Sequence, residues 1–428
     1  FIFQKNNPKI MTRNTESLIL QLLILLLLPK TLFGQVNEGL DLTKLSKLNN
    51  YIEEQVKVKK LAGAEFLIAR NNKIVIHSSR GFSNLETKKK LDKNSIYFIQ
   101  SMTKPIISVA IMQLYERDLI DFDDEVSEYI PEVASLKVAL DWSKGIDSPT
   151  EKIQSPITIG QLLTHSSGLS HGLGKNKLDR DIGKLIYGAN YPFFTDYSLH
   201  KTVEDRAKAL LIAPLMFQPG TNWYYSAGGD LLAVIIEKVT KQTVSHYLKE
   251  NIFNPLGMND TSYNVGREAL ERVMPLHNTN NERKLIVSKN QPPRRGTSLY
   301  GGTHGLYSTA LDYLKFCQMI INGGKLNGKR ILKKKTVDLI KINQVGSNYS
   351  RVNQGFGYGF AIEYNPSIKL EKKVQSIYWG GYFNTRFFID FKENIVAIWM
   401  TQKLPNSSYE GYHQVLKKSV YDAIIDIE

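Results

Sequence analysis

Cysteine is nearly absent from this chain of 428 residues: Cys317 stands alone. A single thiol excludes an internal disulfide and any cysteine-rich metal centre. It lies in the apolar run YLKFCQMII, where a thiol acts as a small buried hydrophobe and not as a nucleophile. The histidines show no metal-ligand spacing and no glycine-rich phosphate loop is present, so neither a metal nor a cofactor is expected. Aromatics are few around the basic runs KKKLDK (88–93) and KRILKKK (329–335), which sit beside turn residues. With a net charge of +14 they read as solvated faces of a lysine-rich protein, with weak attraction to an anionic envelope and no nucleic-acid site. Internal repeats and low-complexity tracts are missing after the N-terminal region.

The N-terminal region has a long apolar run, Leu18 to Leu28, preceded by Arg13 and followed by Pro29-Lys30 and a small residue at Gly34. It is short for a membrane span and fits the core of a secretory signal. Residues 1–34 are therefore set apart as upstream sequence from before Met11 plus a signal peptide, with export to the periplasm or exterior expected. A retained signal-anchor is the competing reading, and membrane association depends on it. Hydrophobic content of 42% and charged content of 22% make the remainder globular with ample core. Residues 35–428 are expected to form a single domain.

Along that domain a helix is predicted from Leu45 to Val58, with Leu45, Leu48, Ile52 and Val56 at helical spacing. The stretch 64–79 is a hairpin turning at Asn71-Asn72. Helices and irregular loops dominate from about 120 to 300, including 157–169, 228–240 and 247–258. A further helix over 308–324 opens on a Ser/Thr-x-x-Asp pattern and closes on Asn-Gly-Gly. Strands return at 386–391 and 395–402, and a last helix fills about 408–425. Strands at both ends around a helical middle imply one sheet, from about 60–100 and 300–428, carrying a helical lobe.

Chemistry concentrates at FIQSMTK (98–104). Pro105 is tolerated only in a first helical turn, which places Ser101 at or near the N-cap and Lys104 within reach of its hydroxyl. The helix N-terminus favours an oxyanion, and partial burial would lower the lysine toward the range of a general base. A plain serine cap with a solvated lysine fits the same four residues.

Five segments in order decide between these. FIQSMTK, LLTHSSGL (162–169), PGTNWYYSAGGDLLAVIIEKVT (219–240) with NPLGMNDT (254–261), GGTHGLYSTALDYLKF (301–316) and YWGGYFNTRFFIDFKENIVAIWMTQ (378–402) closely resemble the superfamily of class C β-lactamases, DD-peptidases and related esterases. The resemblance implies an α/β (α+β) fold of the β-lactamase/transpeptidase kind: an antiparallel sheet flanked by helices, a helical lobe, and a site in the cleft between. It implies Ser101 as nucleophile, Lys104 as its proton acceptor and Tyr225 as second acid/base, the tyrosine pushed well below its usual pKa by nearby ammonium groups. The backbone N–H groups of Ser101 and Tyr382 would form the oxyanion hole. Trp379, Gly380 and Gly381 would occupy the strand-edge position of the Lys-Thr-Gly motif.

Two departures bear on the substrate. Ala227 stands where β-lactamases carry the substrate-binding asparagine of Tyr-x-Asn, and Trp379 where they carry a lysine. Both weaken recognition of an anionic amide, so the Trp-Gly-Gly pattern resembles the esterase branch. The expectation is a serine hydrolase for carboxylic esters. β-Lactam or D-amino-acid peptide cleavage, or silent binding of cell-wall peptides, are the alternatives. His304 reads as a loop residue near the cleft, and His165 as a structural hydrogen-bonding residue.

Overall fold

The computed structural model describes residues 1, 37–192, 194–349, 351–364, 374–405 and 411–425. Apart from Phe1, the expected leader (1–34) lies outside the described residues. Among those described, no helix is long and apolar enough to cross a membrane.

The principal elements in chain order are α1 (Leu42–Lys57), β1 (Gly63–Arg70), β2 (Lys73–Asn84), β3 (Lys89–Lys90), α2 (Thr103–Glu116) and α3 (Ile159–Thr164). There follow α4 (Lys177–Tyr187), α5 (Val203–Leu210), α6 (Gly229–Thr240) and α7 (Ala310–Ile321). The chain ends with β4 (Gln354–Phe356), β5 (Ala361–Tyr364), β6 (Val374–Gly380), β7 (Arg386–Asp390), β8 (Ile395–Met400) and α8 (Tyr412–Asp422). The predicted hairpin turns at Asn71 and Asn72, both with positive φ (52° and 64°), the geometry a two-residue turn between twisted strands demands. The threonine of the predicted cap before α7 is Thr309, which accepts from the N–H of Asp312.

Eight strands form the main sheet in the order β4-β5-β6-β7-β8-β1-β2-β3, each neighbour antiparallel. The two ends of the chain meet at its centre, where Leu67 of β1 lies opposite Ile398 of β8. The sheet draws on residues 63–90 and 354–400, a narrower span than expected. Tyr97-Phe98 pair instead with Tyr307-Ser308 in a separate two-stranded ribbon.

Alternation sorts the strands onto two faces. Leu67, Ile377, Phe387 and Ile398 join the core that holds α2, α6 and α7. Phe66, Phe388, Ala397 and Trp399 join a second core with Leu45, Leu48 and Ile52 of α1 and Tyr412, Leu416 and Val420 of α8. Helix α2 is buried on every side, from Thr103 through Leu114, as its continuous apolar sequence requires. It packs against α6 within that core, and Ser101, just before its N-terminus, borders a cavity.

The Trp-Gly-Gly segment, expected at a strand edge, lies at the end of β6, an interior strand paired on both sides for most of its length. Pairing with β5 ends at Tyr378, however, whereas pairing with β7 continues to Gly380 opposite Arg386. The last two residues of β6 therefore have a neighbouring strand on one side only.

Trp399 is fully buried and stacks on Tyr412 at 5.7 Å and 13°. Trp399→Ala should cost about 3–5 kcal/mol by leaving a cavity under α8, read as a lower denaturant midpoint at unchanged slope.

Candidate active site

Ser101 sits in a single 3-10 turn, Gln100–Met102, that runs directly into α2. Met102 occupies the cap position of α2, so the serine is not consumed as a side-chain cap. Gln100, just before it, is held at φ +50°, a left-handed conformation that costs a residue with a Cβ about 1–3 kcal/mol. That strain is held by surrounding structure, including Gly381, whose missing Cβ would stand 2.4 Å from the Ile99 carbonyl oxygen.

Tyr225 approaches from the helical lobe, in the extended segment before α6. This segment is laced to residues 165–171: Tyr224 N–H donates to His165 O, the His171 N–H to Tyr225 O, and Ala227 N–H to Ser170 O. His165 and His171 flank the phenol ring, each with its centroid 4.9 Å away, the first edge-on and the second stacked at 12°. His165 Nδ1 lies 2.9 Å from Ser226 Oγ, the structural part expected of it. His171 was not legible in the sequence, since nothing local marks it.

The three groups meet. The Tyr225 hydroxyl donates to Ser101 Oγ at 2.8 Å, and Lys104 Nζ donates to Tyr225 Oη at 2.7 Å. Lys104 Nζ is 3.5 Å from Ser101 Oγ and donates to Thr303 O at 2.9 Å. Burial lowers the lysine to about 7; Asp230 opposes that shift and Arg206 adds to it. The tyrosine departs from expectation: burial raises its pKa above the ordinary phenol value. Desolvation outweighs the contacts with Ser101 and Trp379, which pull the other way. The phenol stays protonated and Lys104 is the group that titrates.

The carbonyl of Thr303 that steadies Lys104 is itself positioned. Thr303 N–H donates to Asp230 Oδ1 at 2.9 Å, and Asp230 takes two bonds from Arg206, at 2.7 and 2.8 Å. Both partners of this pair are nearly solvent-free (2–3% exposed). The approach needs glycine: a Cβ on Gly302 would meet Gly229 O at 1.9 Å. The sequence signalled this only as a glycine-rich loop.

Ser101, Tyr225, Trp379, Gly380, Gly381 and Tyr382 border one cavity of about 1050 Å³. His304 also lines it, with Nε2 3.3 Å from Arg206 Nη1. Ala227 does not. It is completely buried, and its carbonyl accepts from Thr303 Oγ1 at 2.9 Å. A substrate contact at Ala227, expected from the motif, has no surface to occur on. Among the described residues no cluster of His, Cys, Asp or Glu could hold a metal ion.

Two predictions follow from Lys104. As a base it works only when neutral, so kcat/KM should fall about tenfold per unit below pH 7 and level off above it, which a pH–rate profile checks. Asp230→Asn removes the carboxylate that favours the ammonium form and leaves Arg206 unpaired. The inflection should move to lower pH, and denaturation should show a loss of about 3–5 kcal/mol.

A beta-lactamase family model matches residues 48–421. Among curated proteins, Esterase EstB of Burkholderia gladioli is 24% identical over 409 residues, covering 90% of this chain and 96% of that one. Lovastatin esterase of Penicillium rubens is 28% identical over 333 residues, covering 71% and 79% respectively. Among solved structures, EstCE1, described as a hydrolase with promiscuous acyltransferase activity, superposes with a TM-score of 0.72 at 20% identity, over 89% of this chain and 99% of that one. This last likeness speaks for the fold.

Proposed function

The chain belongs to the beta-lactamase family, and from that premise we propose that it is a serine hydrolase of carboxylic esters working through an acyl-enzyme on Ser101. The observation that carries the reading is the unbroken contact from Ser101 Oγ through the Tyr225 hydroxyl to Lys104 Nζ. Neutral Lys104 draws a proton from Ser101, directly or with Tyr225 passing its own proton on as it receives the serine's. Ser101 Oγ then bonds to the carbonyl carbon, and the oxyanion rests on the backbone N–H groups of Ser101 and Tyr382. Collapse expels the alkoxide, which recovers the proton. Water, activated by the same groups, releases the acid.

The ester reading is supported by the aromatic wall formed by Trp379 and Tyr225, whose rings lie 5.5 Å apart, and by the names of the two esterase relatives. The leader-like run at 18–28 supports export, with the N-terminal residue of the secreted protein as its check. Activity itself is tested with a short-chain p-nitrophenyl ester and a chromogenic cephalosporin, wild type beside Ser101→Ala. Ester turnover should exceed cephalosporin turnover and vanish in the variant. Dominant cephalosporin cleavage, or a fluorophosphonate adduct retained by Ser101→Ala, would overturn the reading.

A further inference from the structure

The cavity reaches beyond the catalytic groups to where β4–β6 meet α8, and there its lining changes character. Arg351, Arg386 and Lys417 all border it, together with His413 and Glu363. Lys417 is already answered, since it forms an ion pair with Glu363, which also accepts from Ser376 Oγ at 3.1 Å. The two arginines are not. Among the described residues neither has a carboxylate within ion-pair range; Arg386 lies over the Tyr378 ring at 5.2 Å and Arg351 over Tyr349 at 5.4 Å. Aromatic faces orient a guanidinium but leave its in-plane N–H donors available.

Arg386 is placed by register. It stands opposite Gly380 at the end of β6, and a Cβ on that glycine would stand 3.0 Å from Arg386 Nη1. The missing side chain of the motif glycine thus makes the room that the guanidinium occupies. Burial, followed by the charges of Arg386, Lys417 and Arg351, pushes His413 down to about 3, so the imidazole beside them is neutral and adds no competing charge. Glu363 attracts Arg386 from beyond ion-pair range but is itself engaged by Lys417. A desolvated guanidinium fork with no carboxylate in direct contact is costly to hold, and its best complement is a planar carboxylate taking two bonds.

We infer that this end of the cavity is an anion subsite, in which Arg386, assisted by Arg351, binds a carboxylate carried by the substrate at a distance from the scissile bond. The inference rests on the hydrolase reading and narrows it to half-esters and other acyl substrates with a remote acid. The cation missing from Trp379 would thus be supplied from the next strand.

The test uses the full chain and a series of mono-p-nitrophenyl esters of dicarboxylic acids, glutarate to suberate, each beside its methyl-capped neutral counterpart. For at least one chain length the free acid should be favoured in kcat/KM by about tenfold or more, mainly through KM, with the preference shrinking in high salt. In Arg386→Gln the acid-to-neutral ratio should drop by about 10–100-fold, and Arg386→Lys should recover part of it. Ratios near one in wild type, or equal ratios in wild type and Arg386→Gln, would overturn the subsite. Calorimetric titration of suberate into Ser101→Ala protein, with and without Arg386→Gln, separates this inference from the reading beneath it. Suberate binding that depends on Arg386, with no ester turned over by wild type, upholds the subsite and rejects the esterase. Neutral-ester turnover with no suberate binding does the reverse. Thermal melts guard against misfolding: removing an unanswered charge should leave Tm unchanged or higher, and a fall would assign Arg386 to structure.

Discussion

An amine is held almost out of water at the start of a fully buried helix, and the site depends on what burial does to it. Lys104 is hydrogen-bonded to a phenol, a hydroxyl and a carbonyl, none of them a full negative charge. Desolvation therefore moves it from an ordinary lysine toward a base that is half neutral at physiological pH. Such an amine requires dry surroundings, which α2, buried from Thr103 through Leu114, supplies. The Arg206–Asp230 pair sits close enough to tune it and far enough to avoid neutralising it.

The fold was readable because its signals are local and repeated. The Asn-Asn turn, the helical spacing of Leu45, Leu48 and Ile52, and the paired terminal strands each follow from short-range chemistry, and all reappear. That Ser101, Lys104 and Tyr225 would meet was readable from spaced motifs, because Ser101 and Lys104 share a turn and Tyr225 stands in a recognisable frame. Long-range burial was not readable. The raised pKa of Tyr225 and the solvent-free position of Ala227 depend on packing against residues tens to hundreds of positions away.

The same distinction explains the residues that were missed. Asp230 lies in the first turn of α6 and Arg206 in α5, and nothing local in the sequence marks either. Only the contact of Gly302 with Gly229 brings the Thr303 loop onto that carboxylate and turns both into supports for the base. Arg386 is hidden likewise, because its meaning comes from the strand register that sets it against Gly380. Charge that departs from a motif can return through a neighbouring strand, which no linear pattern records.

The centre of the sheet joins β1 to β8, residues separated by more than three hundred positions in the chain. Closing so long a loop carries an entropic penalty that must be met before the central pairing contributes anything, which makes folding slow for the size of the core. During synthesis β1 and β2 emerge as an isolated hairpin whose other neighbour is made last. The central strand thus keeps an open edge, the kind that invites pairing with another chain, until translation is nearly finished.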